Sequence, residues 1–259
     1  LKECEIIDYI EETQMEIKLR CTRAIVLGGA SGIGYAIAKK LADDGVKVCI
    51  AGRNIEKLKQ AVKEIGDERT CYLQFDISDI SCFVRKLNDA ACLLGGYYDA
   101  VVNAAGVHSG KNNWCISEEL YDEVMDTDLK GAIFLMRKAT VLMLNNNIKG
   151  NILQIASVAG NKGTINNSPY YMAKNSLINA TRYMAKEVAG KGIVINGIAP
   201  GVTQTPMSPG NKVREEVQAI GRPIQPEEIA NIALFMLSRQ AEICIGETII
   251  ADGGFWGAW

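Results

Sequence analysis

The sequence predicts an α/β fold, one doubly wound parallel sheet of about seven strands with helices on both faces. Three observations carry this. Short β-branched or apolar runs alternate with longer helical patterns, a glycine-rich turn joins the first such run to the first helical pattern, and no repeat, low-complexity tract or linker interrupts the alternation.

The strand signals are RAIVLG (23–28), VKVCIA (46–51), CYLQF (71–75), YDAVVNA (98–104), NILQIA (151–156), IVINGIA (193–199) and ETIIA (247–251). Each is short and nearly continuous in apolar character, as expected for strands covered on both sides. Between them, segments such as IGYAIAKKLADDG and PEEIANIALFMLS carry apolar residues at spacings of three and four. The second opens with a proline and paired glutamates, a helix N-terminus signal. Two further apolar helices are expected, over EVMDTDLKGAIFLMRKATVLML and SPYYMAKNSLINATRYMAKEVA.

At 259 residues the chain is long enough to bury a sizeable core in one domain. Its net charge is −2, from 28 basic and 30 acidic residues interspersed without long blocks. That distribution gives no footprint for nucleic acid or an acidic membrane and points to a small-molecule partner. Eight cysteines occur, never as Cys-x-x-Cys, and several sit in apolar runs; the expectation is a reduced, cytoplasmic protein. No run reaches the roughly 18 apolar residues of a membrane span, and the N-terminus lacks a signal peptide's pattern. The single histidine, His108, argues against histidine-built metal sites, and no Gly-x-Ser-x-Gly turn exists to carry a hydrolase nucleophile.

Residues 1–20 stand outside the alternation. Ile6, Ile7, Ile10 and Ile17 are spaced for one helical stripe, but Met15 lies only eight residues before the first strand. The segment is read as an N-terminal extension of the poorly ordered kind common at termini.

The turn VLGGASGIGYAIAKKL sets Gly28, Gly32 and Gly34 between the first strand and first helix, with Ser31 and Ile33 among them. Glycines there let backbone N–H groups approach a pyrophosphate, whose charge is favoured by the helix N-terminus. The spacing Gly-x-x-x-Gly-x-Gly differs from Gly-x-Gly-x-x-Gly, and no Lys-Ser/Thr follows as a triphosphate loop needs, so a dinucleotide is expected. The second strand ends in CIAGRN, placing Gly52 where a NAD-selective site would carry an acid, followed by Arg53 and Asn54. A guanidinium there suits the 2′-phosphate of NADP(H) by charge-assisted bonding.

In SPYYMAKNSL, Tyr170 precedes Lys174 by four residues and Tyr171 by three, so both could meet the lysine on a helix and spacing does not separate them. From Arg23 to Gly254 the chain resembles the short-chain dehydrogenase/reductase family. The resemblance is carried by the glycine turn, NAAG at 103–106, Ser157 in QIASVAG, Tyr170-x-x-x-Lys174, NGIAPGVTQTPM at 196–207 and ADGG at 251–254. It implies a Rossmann-like fold and a dinucleotide-binding and catalytic domain over 21–259.

The family pattern selects Tyr170, thirteen residues after Ser157. By that resemblance Tyr170 gives a proton to a carbonyl oxygen, Ser157 hydrogen-bonds the same oxygen, and Lys174 favours the phenolate and holds the nicotinamide ribose. A free tyrosine ionises near pH 10, which is why a neighbouring ammonium matters. Tyr171, one position on, is expected to face elsewhere, in packing or a subunit contact. The resemblance further implies an adenine contact by Asp76 and Ile77, a cofactor-lining stretch of Asn103, Ala104, Ala105 and Gly106, and nicotinamide-amide contacts by Pro200, Gly201, Thr203 and Thr205. One position departs from the pattern: where the family usually has a fourth catalytic residue, asparagine, this chain has Asp128. The expectation balances an active role near Lys174 against a helix-surface side chain.

The implied reaction is hydride transfer between NADP(H) and a ketone or secondary alcohol. Family members of this kind include 3-oxoacyl-carrier-protein reductases, hydroxysteroid dehydrogenases and sugar or polyol dehydrogenases. A non-catalytic dinucleotide-binding redox sensor is the alternative that Asp128 raises. Specificity is expected in VHSGKNNWCISEE, VAGNKGTINNSP and PMSPGNKVREEVQAIGRP, where His108, Trp114 and Met207 could line the pocket but are left out of the site, since a lone His or Trp on such a loop is more often a surface or packing residue. The two long apolar helices imply, by the same resemblance, a homo-oligomer, a tetramer or dimer.

Overall fold

A computed structural model of the chain describes residues 17–108, 110, 113–162, 167–208 and 217–255. The expected stripe of Ile6, Ile7 and Ile10 lies outside these residues. Seven strands, β1 (Arg23–Leu27), β2 (Lys47–Gly52), β3 (Thr70–Gln74), β4 (Ala100–Asn103), β5 (Asn151–Ile155), β6 (Val194–Pro200) and β7 (Thr248–Ala251), form one sheet in the order β3-β2-β1-β4-β5-β6-β7. Every pairing is parallel. The order reverses between β1 and β4, and a crevice opens at their carboxyl ends, where ligands of such sheets bind.

Helices α1 (Gly32–Asp43), α2 (Ile55–Ile65) and α7 (Pro226–Met236) share one face. Helices α3 (Phe83–Leu93), α5 (Ala132–Asn145) and α6 (Ser168–Val188) share the other. Successive β1 residues serve opposite layers: Ala24 and Val26 pack with Ile37, Leu41 and Leu58, while Ile25 and Leu27 pack with Phe83, Leu87 and Met136. Burial on both faces explains why the strands read as apolar runs without alternation.

Helix ends follow local chemistry. Asn54 caps α2, its Oδ1 accepting from the Lys57 N–H at 3.0 Å. Helix α7 starts at Pro226 with a reciprocal box between Gln225 and Glu228, whose carboxylate also receives Arg222 at 2.7 and 2.8 Å.

The segment expected as one apolar helix over 123–144 is divided. Helix α4 (Glu118–Met125) ends in a π-helical turn, Asp126–Gly131, before α5 begins. A Cβ at Gly131 would overlap the Ile77 carbonyl, so the chain passes closer to the β3 loop than any side chain permits. The wide turn buries Thr127, Asp128 and Gly131. Among the described residues, no helix is long and apolar enough to cross a membrane, and no group of three or more His, Cys, Asp or Glu side chains could hold a metal ion.

Candidate active site

The carboxyl ends of the central strands open into a cavity of about 950 Å³. On one side lies the β1–α1 turn. Gly28 has φ +73°, and a Cβ there would stand 2.7 Å from the Ala104 carbonyl carbon; a Cβ on Gly34 would collide with the Gly28 carbonyl. These glycines therefore bring strand, helix and the β4 loop into backbone contact. The N-terminus of α1 is open: Ser31 makes no side-chain capping bond, and the first turn holds no acidic residue. Its free N–H groups and positive end of the helix dipole fit an anionic pyrophosphate.

Arg53 follows β2 and lines the same cavity, exposed to solvent. Asp76 lies across it after β3, with Oδ1 accepting from the Ser78 N–H at 2.9 Å and hydroxyl at 2.8 Å. Ile77, Ala104, Ala105, Gly106, Pro200, Gly201, Thr203 and Thr205 complete this half with Ser31, Gly32 and Ile33.

Two expected cofactor residues do not line it. Asn103 is buried beneath the loop, donating to Gln154 Oε1 at 2.9 Å and accepting from the Ala105 N–H at 3.2 Å, so it shapes the floor from behind. Asn54 spends its side-chain oxygen on the α2 cap.

Ser157, Tyr170 and Lys174 line the same cavity. Ser157 lies two residues beyond β5 and caps the 3-10 turn Val158–Gly160, its Oγ accepting from the Ala159 N–H at 3.1 Å. Tyr170 and Lys174 stand one turn apart on α6. The lysine is buried, its Nζ 5.5 Å from the Tyr170 ring centroid and donating to the Ile155 carbonyl at 3.3 Å.

Asp128 is not a surface residue. Its side chain is fully buried; Oδ1 accepts from the Val107 N–H at 2.8 Å, and Oδ2 lies 3.7 Å from Lys174 Nζ, an ion-pair contact rather than a hydrogen bond. Burial pushes the Asp128 carboxyl above the ordinary aspartate range, against the opposing pull of the Lys174 ammonium and the Val107 N–H. Position 128 thus carries a carboxyl directly behind the lysine, with Thr127 rather than Asp128 reaching the cavity surface.

Two further expectations are corrected. Tyr171 also lines the cavity, its ring 6.1 Å from that of Tyr170. His108 and Met207 line it too, with Val217 and Phe255, whereas Trp114 is 96% exposed and lies away from it. The position of His108 two residues beyond the NAAG loop was the available signal; for Phe255, four residues after the last strand ends at Ala251, nothing local distinguished it.

The model of a protein family described as enoyl-(acyl carrier protein) reductase matches residues 28–256. A solved structure named a short chain dehydrogenase/reductase family protein superposes with a TM-score of 0.80 at 31% identity, covering 90% of this chain and 96% of the other. The chain belongs to the short-chain dehydrogenase/reductase family. Membership makes it an oxidoreductase that binds a nicotinamide dinucleotide. Among its relatives in the family, a 3-oxoacyl-[acyl-carrier-protein] reductase of Chlamydia muridarum is 35% identical, covering 89% of this chain and 96% of that protein. An L-2,3-butanediol dehydrogenase of Corynebacterium glutamicum is 29% identical, covering 89% and 97%. An actinorhodin polyketide ketoreductase variant solved with NADPH gives a TM-score of 0.82 at 26% identity, covering 90% and 96%.

Proposed function

We propose that this short-chain dehydrogenase/reductase transfers hydride between NADP(H) and a ketone or secondary alcohol, with Tyr170 as general acid and base. The observation that carries the reading is that one cavity is lined by Ser157, Tyr170 and Lys174 and also by the open α1 N-terminus and Arg53. The backbone N–H groups of Ser31 to Gly34 would hold the pyrophosphate, Arg53 the 2′-phosphate and Asp76 the adenine. When bound, the reduced nicotinamide supplies hydride to the carbonyl carbon. Ser157 donates a hydrogen bond to the substrate oxygen as negative charge develops there. Tyr170 delivers its proton to that oxygen, and the Lys174 ammonium stabilises the phenolate left behind. Asp128 anchors the Val107 backbone and balances the lysine's charge.

Support for NADP(H) over NAD(H) comes from Arg53, from Gly52 in place of an acid, and from the ketoreductase neighbour solved with NADPH. For the substrate, the named relatives favour a ketone with a second oxygen nearby: a 3-oxoacyl group carries it two carbons away, a 2,3-diol on the adjacent carbon. An acyl-carrier docking surface has weaker support, because the chain from the last residue of α5 onward reads NNNIKG and offers one lysine to an acidic partner. Exposed Val141, Met172, Tyr183, Phe235 and Ile250 favour a homo-oligomer, a tetramer in this reading.

The test is NADPH oxidation followed at 340 nm with a panel of ketones, for the wild type, Tyr170→Phe and Tyr171→Phe. Tyr170→Phe is expected to lose nearly all turnover with NADPH affinity largely kept, and Tyr171→Phe to remain active. Exchanged behaviour would overturn the assignment.

A further inference from the structure

The family pattern leaves His108 without a role, although it lines the same cavity as Tyr170. His108 lies on the loop after β4, and its imidazole meets the Tyr170 ring edge-on, with centroids 5.4 Å apart and planes at 66°. It lines the cavity, and among the described residues its ring nitrogens make no hydrogen bond. The loop carrying it is not free to turn away, because the preceding residue, Val107, is fastened from behind by the buried Asp128 carboxyl at 2.8 Å. The same cavity is also lined by the largely apolar side chains of Tyr171, Met207, Val217 and Phe255.

We infer that His108 is a specificity-determining residue that donates a hydrogen bond to a second oxygen of the substrate, one or two carbons from the carbonyl that Tyr170 protonates. The inference rests on the ketone-reduction reading and deepens it. The matching substrate class is the small or acyl-chain ketone bearing one neighbouring acceptor, such as a β-keto ester, a β-keto thioester or a vicinal diketone. An apolar arm would lie toward Met207 and Phe255. Partial enclosure by the cavity wall holds the imidazole below its ordinary titration range, against the pull of Asp128, which leaves a neutral ring with one N–H donor. That donor has no described protein partner, so a ligand oxygen is its natural complement. A simple ketone leaves it facing an alkyl chain.

The experiment compares kcat/KM for ethyl acetoacetate and 2-hexanone, with saturating NADPH, in the wild type, His108→Gln and His108→Leu. One hydrogen bond corresponds to roughly 2- to 10-fold in binding. The expected result is that the ratio of keto ester to plain ketone falls by about that factor in the leucine variant, chiefly through KM. Glutamine, which keeps an N–H donor, restores most of the ratio. A ratio equal in all three proteins, or glutamine no better than leucine, overturns the assignment of His108 alone. A wild type that reduces neither ketone overturns the ketone-reduction reading, and this inference with it.

Discussion

Replacing Asp128 by asparagine removes one negative charge from behind Lys174 while keeping an oxygen to accept from the Val107 N–H. The carboxylate lies 3.7 Å from Nζ, and Nζ lies 5.5 Å from the Tyr170 ring centroid. Those two distances cap the separation of carboxylate and ring at about 9 Å, where unit charges interact by about 1.8 kcal/mol at an effective dielectric of about 20. The ionised carboxylate opposes formation of the phenolate that accepts the proton during alcohol oxidation, so its removal favours that phenolate. At 1.36 kcal/mol per pH unit, the rising limb of the oxidative pH–rate profile should move to lower pH by about one unit in Asp128→Asn. The measurement is kcat/KM against pH for a secondary alcohol and NADP⁺ in both proteins, with thermal melting to verify the fold. Superimposable profiles would refute the reasoning, because burial would then keep the carboxyl protonated and without a field on the site. A wild type inert toward every ketone but rescued by asparagine would favour the dinucleotide-sensor alternative.

Two other outcomes follow from the same structure. Arg53→Ala should weaken NADPH binding by about 1–3 kcal/mol, as for hydrogen bonds to charged groups, and leave NADH nearly unchanged. Fluorescence titration with both cofactors checks this, and equal losses would remove Arg53 as the 2′-phosphate contact. Glu228 is held down to about 2, first by hydrogen bonding to Arg222 and then by the Gln225 N–H. A carboxyl lowered on folding contributes stability above its unfolded value, near pH 4.3, and loses it as pH falls toward 2. The melting temperature of Glu228→Gln should therefore lie below wild type at pH 7 and converge with it by about pH 2. Because the pair is largely exposed, the gap at pH 7 should be a few degrees at most and shrink in salt, roughly as surface pairs do.

Much of the fold was legible because burial on both faces writes itself into composition. RAIVLG and NILQIA correspond to β1 at Arg23–Leu27 and β5 at Asn151–Ile155, while YDAVVNA contracts to Ala100–Asn103 because Tyr98 and Asp99 precede the ladder. The glycine turn and Tyr170-x-x-x-Lys174 were legible for a different reason, since each is a local backbone or helix-spacing requirement. Tyr171 and His108 were misplaced because whether a side chain on α6 or a loop faces the cavity depends on how those elements pack. Asp128 was undecidable from MDTDLKG alone: in an ordinary α-helix the segment reads as half polar surface, whereas in the π-helical turn Asp126–Gly131 Thr127, Asp128 and Gly131 are buried.

The π turn between α4 and α5 acts as a phase shifter. Each helix keeps its own period of about 3.6 residues per turn, but residues 126–131 offset one period from the other. A single insertion or deletion there would rotate everything downstream by roughly 100°. Placed before Asp128, it would swing Ala132, Leu135, Met136, Ala139 and Met143 off the sheet in the same stroke that withdrew Asp128 from Lys174. The length of this short segment is thus constrained twice, by the packing of α5 and by the charge behind the lysine, so substitutions are expected to be tolerated there better than insertions or deletions. Asparagine in place of Asp128 changes the chemistry and leaves the phase intact.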